Sequence, residues 1–380
     1  MKKNILIGIA ICILFFGCSR SINTVDNFER ATTTASPIIE TESLTEESYN
    51  TIDKSDEPSD ITYSRVGLQI PECATLNSYC LYRDLVYYSY SYLEYMYATG
   101  ESKLSDEYNS QICVYDIATD RSKVIYTVES GTEYISHLTC NGEQLLFVQE
   151  IYMGQNPDSK VYLIDLSQSA PQAVGVLSEE NVNTPELADN FILWLSLGSD
   201  SETNSIYRCD YARGEIIELI KEVGAYTFEL NKLDKIITIC NLQEDGSTDI
   251  KAYDYNGKLV NSYVVDNYVS TAQCNSKYVV WSQDNNIFMF DFDSEQINKT
   301  NFVGDFVLIN DIIISEGNNG IFSYKMGESI WKCIINTEEG HRASINNTDS
   351  EIYGKWFIPG QYGMPWDEDV VTILQIPIDM

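Results

Sequence analysis

Basic residues and histidine are scarce in this chain. Its 380 residues include 24 Lys and Arg against 57 Asp and Glu, and only 2 histidines. The resulting formal net charge of −33 at pH 7 repels nucleic acid and anionic lipid headgroups. This charge balance excludes nucleic acid as a partner and excludes membrane binding through a basic patch.

Motifs that carry catalysis or bind metals are also missing. None of the 10 cysteines forms a Cys-x-x-Cys pair, so a zinc site or thioredoxin-like chemistry has no support. The sequence contains no phosphate-binding loop, nucleophile elbow or paired-carboxylate motif. The two histidines, His137 and His341, favour structural roles, with a shared metal or acid/base site as the alternative. The sequence therefore predicts no cofactor, no metal and no evident catalysis.

The N-terminus carries an apolar run preceded by Lys2 and Lys3. The run, ILIGIAICILFFG at 5–17, is too short to span a bilayer as a mature helix and is typical of a secretory signal. Gly17 directly before Cys18 resembles the lipobox of bacterial lipoprotein signals, although Phe15 stands where that family prefers Leu. The resemblance implies that Cys18 is lipidated, and diacylation supplies the two chains that stable anchoring needs. A simple signal peptide with an incidental Cys18 is the alternative.

Three regions follow from composition. Residues 1–17 form the predicted lipoprotein signal peptide, and residues 18–60, rich in Ser, Thr and Glu, form a predicted disordered tether. Residues 61–380 hold nearly all the aromatics and form one predicted domain. We expect the protein to be exported and lipid-anchored to the outer surface of the bacterial cytoplasmic membrane, or to the periplasmic side of an envelope membrane.

A five-residue phrase that begins with Ile or Val and ends in Asp recurs along this domain. The copies are ICVYD at 112–116, VYLID at 161–165, IYRCD at 206–210, IKAYD at 250–254, IFMFD at 287–291 and, without the acid, IFSYK at 321–325. Their last positions lie 49, 45, 44, 37 and 34 residues apart. The mean of about 42 is the length of one four-stranded propeller blade.

The Asp of each phrase stands where a strand turns. An Asp side chain there accepts hydrogen bonds from backbone N–H groups of the turn, which makes these acids structural and not catalytic. A second recurring unit upstream, such as CNGEQLLF at 140–147 and CNSKYVVW at 274–281, predicts two more strands around a tight turn. Each repeat therefore predicts four antiparallel strands, named a to d from first to last.

Counting these units predicts an all-β fold, a single β-propeller with seven blades, with six or eight as alternatives. The predicted blades cover 73–128, 134–177, 184–220, 226–265, 269–302, 305–335 and 341–379. The last blade lacks an outer strand, whereas ITYSRVGLQI at 61–70 is a strand-like segment left over at the start. Pairing the two closes the ring and removes an open sheet edge.

Over residues 61–380 the chain resembles the divergent TolB-like or WD40-like propellers of bacterial exported lipoproteins. The Gly-His and Trp-Asp pairs of true WD40 repeats, the double glycines of kelch repeats and the Asp-box of sialidases are absent. The resemblance implies binding or scaffolding more often than catalysis. It supplies no site residues.

Two long connections between strands b and c, at about 93–110 in blade 1 and 358–370 in blade 7, mark the predicted ligand face. Tyr88, Tyr90 and Tyr92 alternate along the strand that leads into the first connection. The candidate ligand-binding residues are Tyr92, Tyr95, Tyr97, Tyr362, Trp366 and Asp367. Aromatics beside carboxylates suit sugar stacking, a peptide or a cationic group. The alternative is that these tyrosines only pack over the blade ends.

Two classes of function fit this sequence. The first is a monomeric binding or scaffold module whose partner is a glycan, a peptide or an envelope protein. The second is an envelope hydrolase or lyase acting on glycans, which would need carboxylates converging on the propeller channel. Cys80, Cys140 and Cys274 occupy one repeat position on the inner strands and are expected to be buried thiols.

Overall fold

The computed structural model describes most of the chain beyond residue 49. The described residues are 50–71, 74–96, 101–104, 109–130, 133–151, 159–168, 172–177, 182–198, 204–221, 223–225, 227–269, 271–284, 286–300, 306–317, 320–336, 355–359 and 370–375. They form β-strands and turns without a helix. Accordingly, no helix long and apolar enough to cross a membrane occurs in these ranges.

The first three blades are four-stranded antiparallel sheets. Blade 1 contains β3 (Thr75–Tyr82), β4 (Leu85–Ser91), β7 (Gln111–Asp116) and β8 (Arg121–Thr127); blade 2 contains β9 (Glu133–Cys140), β10 (Gln144–Ile151), β11 (Lys160–Asp165) and β12 (Ala173–Leu177); blade 3 contains β13 (Val182–Ala188), β14 (Phe191–Ser196), β15 (Ser205–Asp210) and β16 (Glu215–Ile220). A two-stranded hairpin, β5 (Leu93–Met96) and β6 (Glu101–Leu104), is inserted between strands b and c of blade 1.

The next three blades repeat the same order. Blade 4 contains β17 (Glu229–Asn231), β18 (Ile236–Leu242), β19 (Thr248–Asp254) and β20 (Leu259–Val265); blade 5 contains β21 (Ala272–Cys274), β22 (Tyr278–Gln283), β23 (Asn286–Asp291) and β24 (Gln296–Thr300); blade 6 contains β25 (Phe306–Ile309), β26 (Ile312–Gly317), β27 (Gly320–Lys325) and β28 (Ile330–Asn336). First strands of neighbouring blades contact each other, which places strand a of each blade on the inside of the ring.

The predicted turn chemistry of the Asp phrase is confirmed in five blades. In each, the Asp Oδ1 accepts one or two hydrogen bonds from backbone N–H groups two to four residues further on, at 2.9–3.4 Å. The five residues are Asp116, Asp165, Asp210, Asp254 and Asp291. Because every copy satisfies its own turn, the set is structural, as the sequence indicates.

The core lies between blades. Trp194, Trp281 and Trp331 are the largest fully buried side chains. Each belongs to a cluster formed by two neighbouring blades: blades 2 and 3 around Trp194, blades 4 and 5 around Trp281, and blades 5 and 6 around Trp331. The blade faces are therefore apolar on both sides, and solvent meets mainly the outer strands and the connections.

The predicted ring closure is confirmed by strand β2 (Thr62–Gly67). It pairs antiparallel with β30 (Val370–Gln375), from Thr62 opposite Gln375 to Gly67 opposite Val370. Strand β30 pairs on its other side with β29 (Lys355–Pro359), and β29 contacts β3 of blade 1. A propeller closed by its own N-terminal strand is the result. Six four-stranded blades and this three-stranded sheet are described, so a full seventh blade stays a prediction.

Strand β1 (Asn50–Pro58) differs from the sequence expectation. The tether was predicted to extend to residue 60, but β1 pairs in parallel with β24 of blade 5 and with β28 of blade 6, joining both blades into one nine-stranded sheet. Its Ile52 is buried in the core between these two blades. One aliphatic anchor and two open sheet edges order a segment whose composition alone is typical of disorder.

Candidate functional site

The inner strands of blades 1 to 3 each pair irregularly with strand b of the same blade. Strands β3 and β9 each carry one extra residue against strand b, Asn77 and Ser136, and β13 carries an irregularity between Asn183 and Glu186. Thr184, inside the β13 irregularity, has a φ of 44°. That value is strained for a β-branched residue. Bulges are over-represented beside functional sites because they redirect a side chain.

The irregularity in β13 brings Glu186 between two basic groups from other blades. His137 Nε2 of blade 2 lies 3.5 Å from Glu186 Oε1, and Lys232 Nζ, just after β17 of blade 4, lies 3.4 Å from Glu186 Oε2. Lys232 Nζ also donates a hydrogen bond to Thr139 Oγ1 at 3.2 Å. The cluster of His137, Glu186 and Lys232, here called the channel cluster, links the inner strands of three blades.

The charge state of Glu186 follows from these neighbours. Burial opposes its ionisation, but the positive charge of Lys232 and the contact with His137 outweigh burial and lower its pKa to about 2. Glu186 is therefore ionised at neutral pH and lacks the proton that a general acid must donate. The cluster is suited to holding blades 2, 3 and 4 together.

A pH-dependent contribution to stability is expected from Glu186. A pKa lowered from 4.5 to about 2 stabilises the fold above the usual pKa, and this stabilisation is lost as pH falls towards 2. Glu186→Gln should lower the free energy of unfolding by about 2 kcal/mol at pH 7, and the difference from the natural protein should shrink between pH 4.5 and pH 2. Urea unfolding at several pH values measures this. Exposed Glu143→Gln is the control, and a difference independent of pH would contradict the assignment.

A second group of polar residues lies at the end of blade 2 from which its b–c connection leaves. Tyr134 Oη and Ser136 Oγ donate hydrogen bonds to the two oxygens of Glu150, at 2.7 and 2.8 Å. Gln149 Nε2 donates to Glu133 Oε2 at 2.7 Å. The two carboxylates are half-buried and held in fixed positions by neutral donors. We call Glu133, Tyr134, Ser136 and Glu150 the blade 2 rim.

The structure describes only part of the predicted ligand face. Tyr88 and Tyr90, predicted to lead into it, are buried in the core of blade 1. Tyr92 is half-buried against the same core, with its ring edge-on to Tyr90 at 5.8 Å between centroids. Tyr95 lies on β5 of the inserted hairpin. Lipidation residue Cys18 and the remaining ligand candidates lie outside the described residues; these are Tyr97, Tyr362, Trp366 and Asp367.

Neither the channel cluster nor the blade 2 rim is predicted from the sequence. His137 was noted with His341, which lies outside the described residues, and not with Glu186 and Lys232. No local motif links these three residues, because each comes from a different blade. Where the structure is described, no group of three or more His, Cys, Asp or Glu side chains is arranged to hold a metal ion.

Proteins of known structure that resemble this chain are β-propeller proteins. Pyrococcus horikoshii acylaminoacyl peptidase aligns over 76% of this chain and 49% of that chain, with 11% identity and a TM-score of 0.50. The β-propeller domain of the Trilobed protease from Pyrococcus furiosus aligns over 63% of this chain and 84% of that chain, with 13% identity and a TM-score of 0.46. An oligogalacturonate lyase in complex with manganese aligns over 70% of this chain and 95% of that chain, with 10% identity and a TM-score of 0.45.

The likeness at these identities shows the fold alone, so the class that fold and topology define is the β-propeller. The chain spans about half the length of the acylaminoacyl peptidase that it matches. No protein-family model matches the chain, and no curated protein matches it significantly.

Proposed function

We propose that the protein is an exported, lipid-anchored propeller that binds a ligand or an envelope-protein partner through the face carrying its b–c connections. The observation that carries this proposal is the preformed blade 2 rim, where Glu150 accepts two hydrogen bonds from Tyr134 and Ser136. The rim neighbours the blade that carries the β5–β6 hairpin, the insertion that interrupts the four-stranded repeat. Export and lipidation rest on the Gly17–Cys18 resemblance.

Fixed carboxylates beside tyrosines indicate the chemistry of the ligand. A carboxylate with two donors already in place keeps further acceptor positions open for hydroxyl or amide groups. Tyrosine rings provide apolar faces with a polar tip. A glycan or an extended peptide presents both kinds of group. The b–c connection of blade 7, which carries Tyr362 and Trp366, lies outside the described residues, and we expect it to extend this face because β29 contacts β3 of blade 1.

A glycan hydrolase or lyase is the alternative, and it needs a proton donor and a paired carboxylate in the channel. The carboxylate of Glu186 in the channel cluster is ion-paired with Lys232, and its pKa of about 2 keeps it ionised at neutral pH. It therefore favours the binding function over catalysis.

Photocrosslinking in cells tests both the face and the anchor. Benzoylphenylalanine is placed at Tyr95 on the inserted hairpin or, as the control, at Arg83 in the a–b turn at the opposite end of the same blade. Each version is made with Cys18 and with Cys18→Ser, and adducts are identified in membrane and soluble fractions.

We expect one recurrent adduct, to a glycan or an envelope protein, from position 95 and none from position 83. Glu150→Gln should reduce the adduct several-fold, since it removes an acceptor without altering side-chain size. Cys18→Ser should move the protein out of the membrane fraction. Equal labelling from both ends of the blade would refute the ligand face, and membrane retention of Cys18→Ser would refute the anchor.

A further inference from the structure

Two cysteines of neighbouring blades lie side by side on the inner strands. The backbone N–H of Leu138 in β9 donates a hydrogen bond to Ser78 Oγ in β3 at 3.0 Å, which fixes how these strands align. First strands of successive blades run in the same direction, because each blade is the same antiparallel sheet rotated about the ring axis. Two residues further along each strand, Cys80 therefore meets Cys140.

The surroundings of the two thiols support this alignment. Cys80 and Cys140 are 1% and 3% exposed and belong to the same core cluster between blades 1 and 2. The Cys140 thiol is a close neighbour of the Cys80 thiol. Both carry thiols and not a disulfide, as do the other cysteines in the described ranges.

We propose that Cys80 and Cys140 form an oxidisable dithiol site, and that their disulfide ties the inner strand of blade 1 to that of blade 2. The two S–H bonds break and one S–S bond forms. Two electrons and the two protons pass to a disulfide oxidant, such as oxidised glutathione, whose S–S bond breaks to give two thiols. The site is independent of the proposed ligand face.

Burial determines when this reaction takes place. Burial raises the pKa of the Cys80 thiol, and the neighbouring Cys140 adds to that shift. The thiolate is the form that attacks a disulfide, so the folded protein reacts slowly. During folding both thiols are accessible to the oxidant. The disulfide is therefore expected to form while the inner strands assemble, and then to be protected from reduction.

Cys274 offers a matched control for the pair. It occupies the same repeat position on the inner strand of blade 5 and is equally buried. The cysteine that interacts with it electrostatically is Cys240, which lies on strand b of blade 4 and not on a neighbouring inner strand. If the disulfide requires two cysteines aligned on neighbouring inner strands, Cys274 should stay reduced under the same conditions.

Refolding of the full chain in oxidised and reduced glutathione tests the proposal. Remaining thiols are alkylated under denaturing conditions, and the digest is analysed by mass spectrometry without reduction. We expect one dominant crosslinked peptide joining Cys80 to Cys140, unchanged in Cys274→Ser, and a higher thermal midpoint for the oxidised protein than for the reduced one. Native protein given the same oxidant should form the crosslink at least tenfold more slowly.

The proposal is overturned if the refolded natural chain contains no crosslinked Cys80–Cys140 peptide. It is also overturned if the yield of that peptide is no greater than the yield of a crosslinked Cys240–Cys274 peptide. Because the decisive readout uses the natural sequence, it does not depend on whether Cys80→Ser folds. Cys80→Ser, where it folds, should leave Cys140 fully alkylated.

Discussion

Deletion of residues 61–68 is expected to abolish cooperative folding of the propeller. Strand β2 completes the sheet of β29 and β30, and its removal opens an edge along β30. The segment also anchors the sheets on either side: Ile61 is buried in the core of blade 6, and Val66 and Leu68 are buried with blade 1. Burial of one aliphatic side chain contributes about 1.5–3 kcal/mol. Three such losses approach the total stability of about 5–15 kcal/mol.

Thermal unfolding followed by circular dichroism measures this effect. Deletion of eight residues from the predicted tether, at 36–43, is the matched control and should leave the midpoint within a few degrees of the natural value. An unchanged midpoint after deletion of 61–68 would show that the ring does not need its N-terminal strand.

Ile52→Asp is expected to release strand β1 while the blades stay folded. Ile52 is the buried anchor of β1 and packs in the cluster of Trp331 and Phe322. Placing an unpaired carboxylate there costs several kcal/mol, more than the few backbone pairs of β1 can offset. Strand β1 adds to the outer edges of blades 5 and 6, so its loss leaves each four-stranded sheet complete.

Limited proteolysis and hydrogen exchange distinguish release from global unfolding. We expect cleavage within 50–58 and faster exchange at 296–300 and 330–336, with little change at 85–91. Ile52→Val, which loses one methylene, should cost about 1 kcal/mol and leave β1 in place. Uniformly faster exchange across every blade would contradict this expectation, because it would show that the blades do not stay folded without β1.

The repeats were predictable because their chemistry is local. Each Asp phrase places an apolar strand before a turn that its own Asp stabilises, so Asp254 and Asp291 signal their turns without reference to the rest of the chain. The closure was predictable as well, since a strand-like segment at 61–70 and an incomplete last blade complement each other.

The channel cluster was not predictable in this way. Glu186, His137 and Lys232 lie about 50 residues apart in sequence and meet only because blades 2, 3 and 4 are consecutive and β13 is irregular. Nothing local in the chain indicates that Thr184 adopts a positive φ. A bulge of this kind depends on how neighbouring blades pack.

Contacts with neighbouring sheets decide two points that the local sequence did not settle. Tyr88 and Tyr90 pack in the core, because strand b of blade 1 lies between neighbouring sheets and is buried on both faces. The low apolar content of 50–58 indicated disorder, but the open edges of β24 and β28 supply the hydrogen bonds that the segment cannot make internally.

Hydrogen exchange at the closure tests the central claim, that this chain is a propeller closed by its N-terminal strand, most directly. In the intact protein, backbone amides of 62–67 and 370–375 should exchange together and slowly, within about tenfold of 85–91 in blade 1. Exchange of 62–67 at the rate of an unstructured chain, while 85–91 stays protected, would contradict the closure.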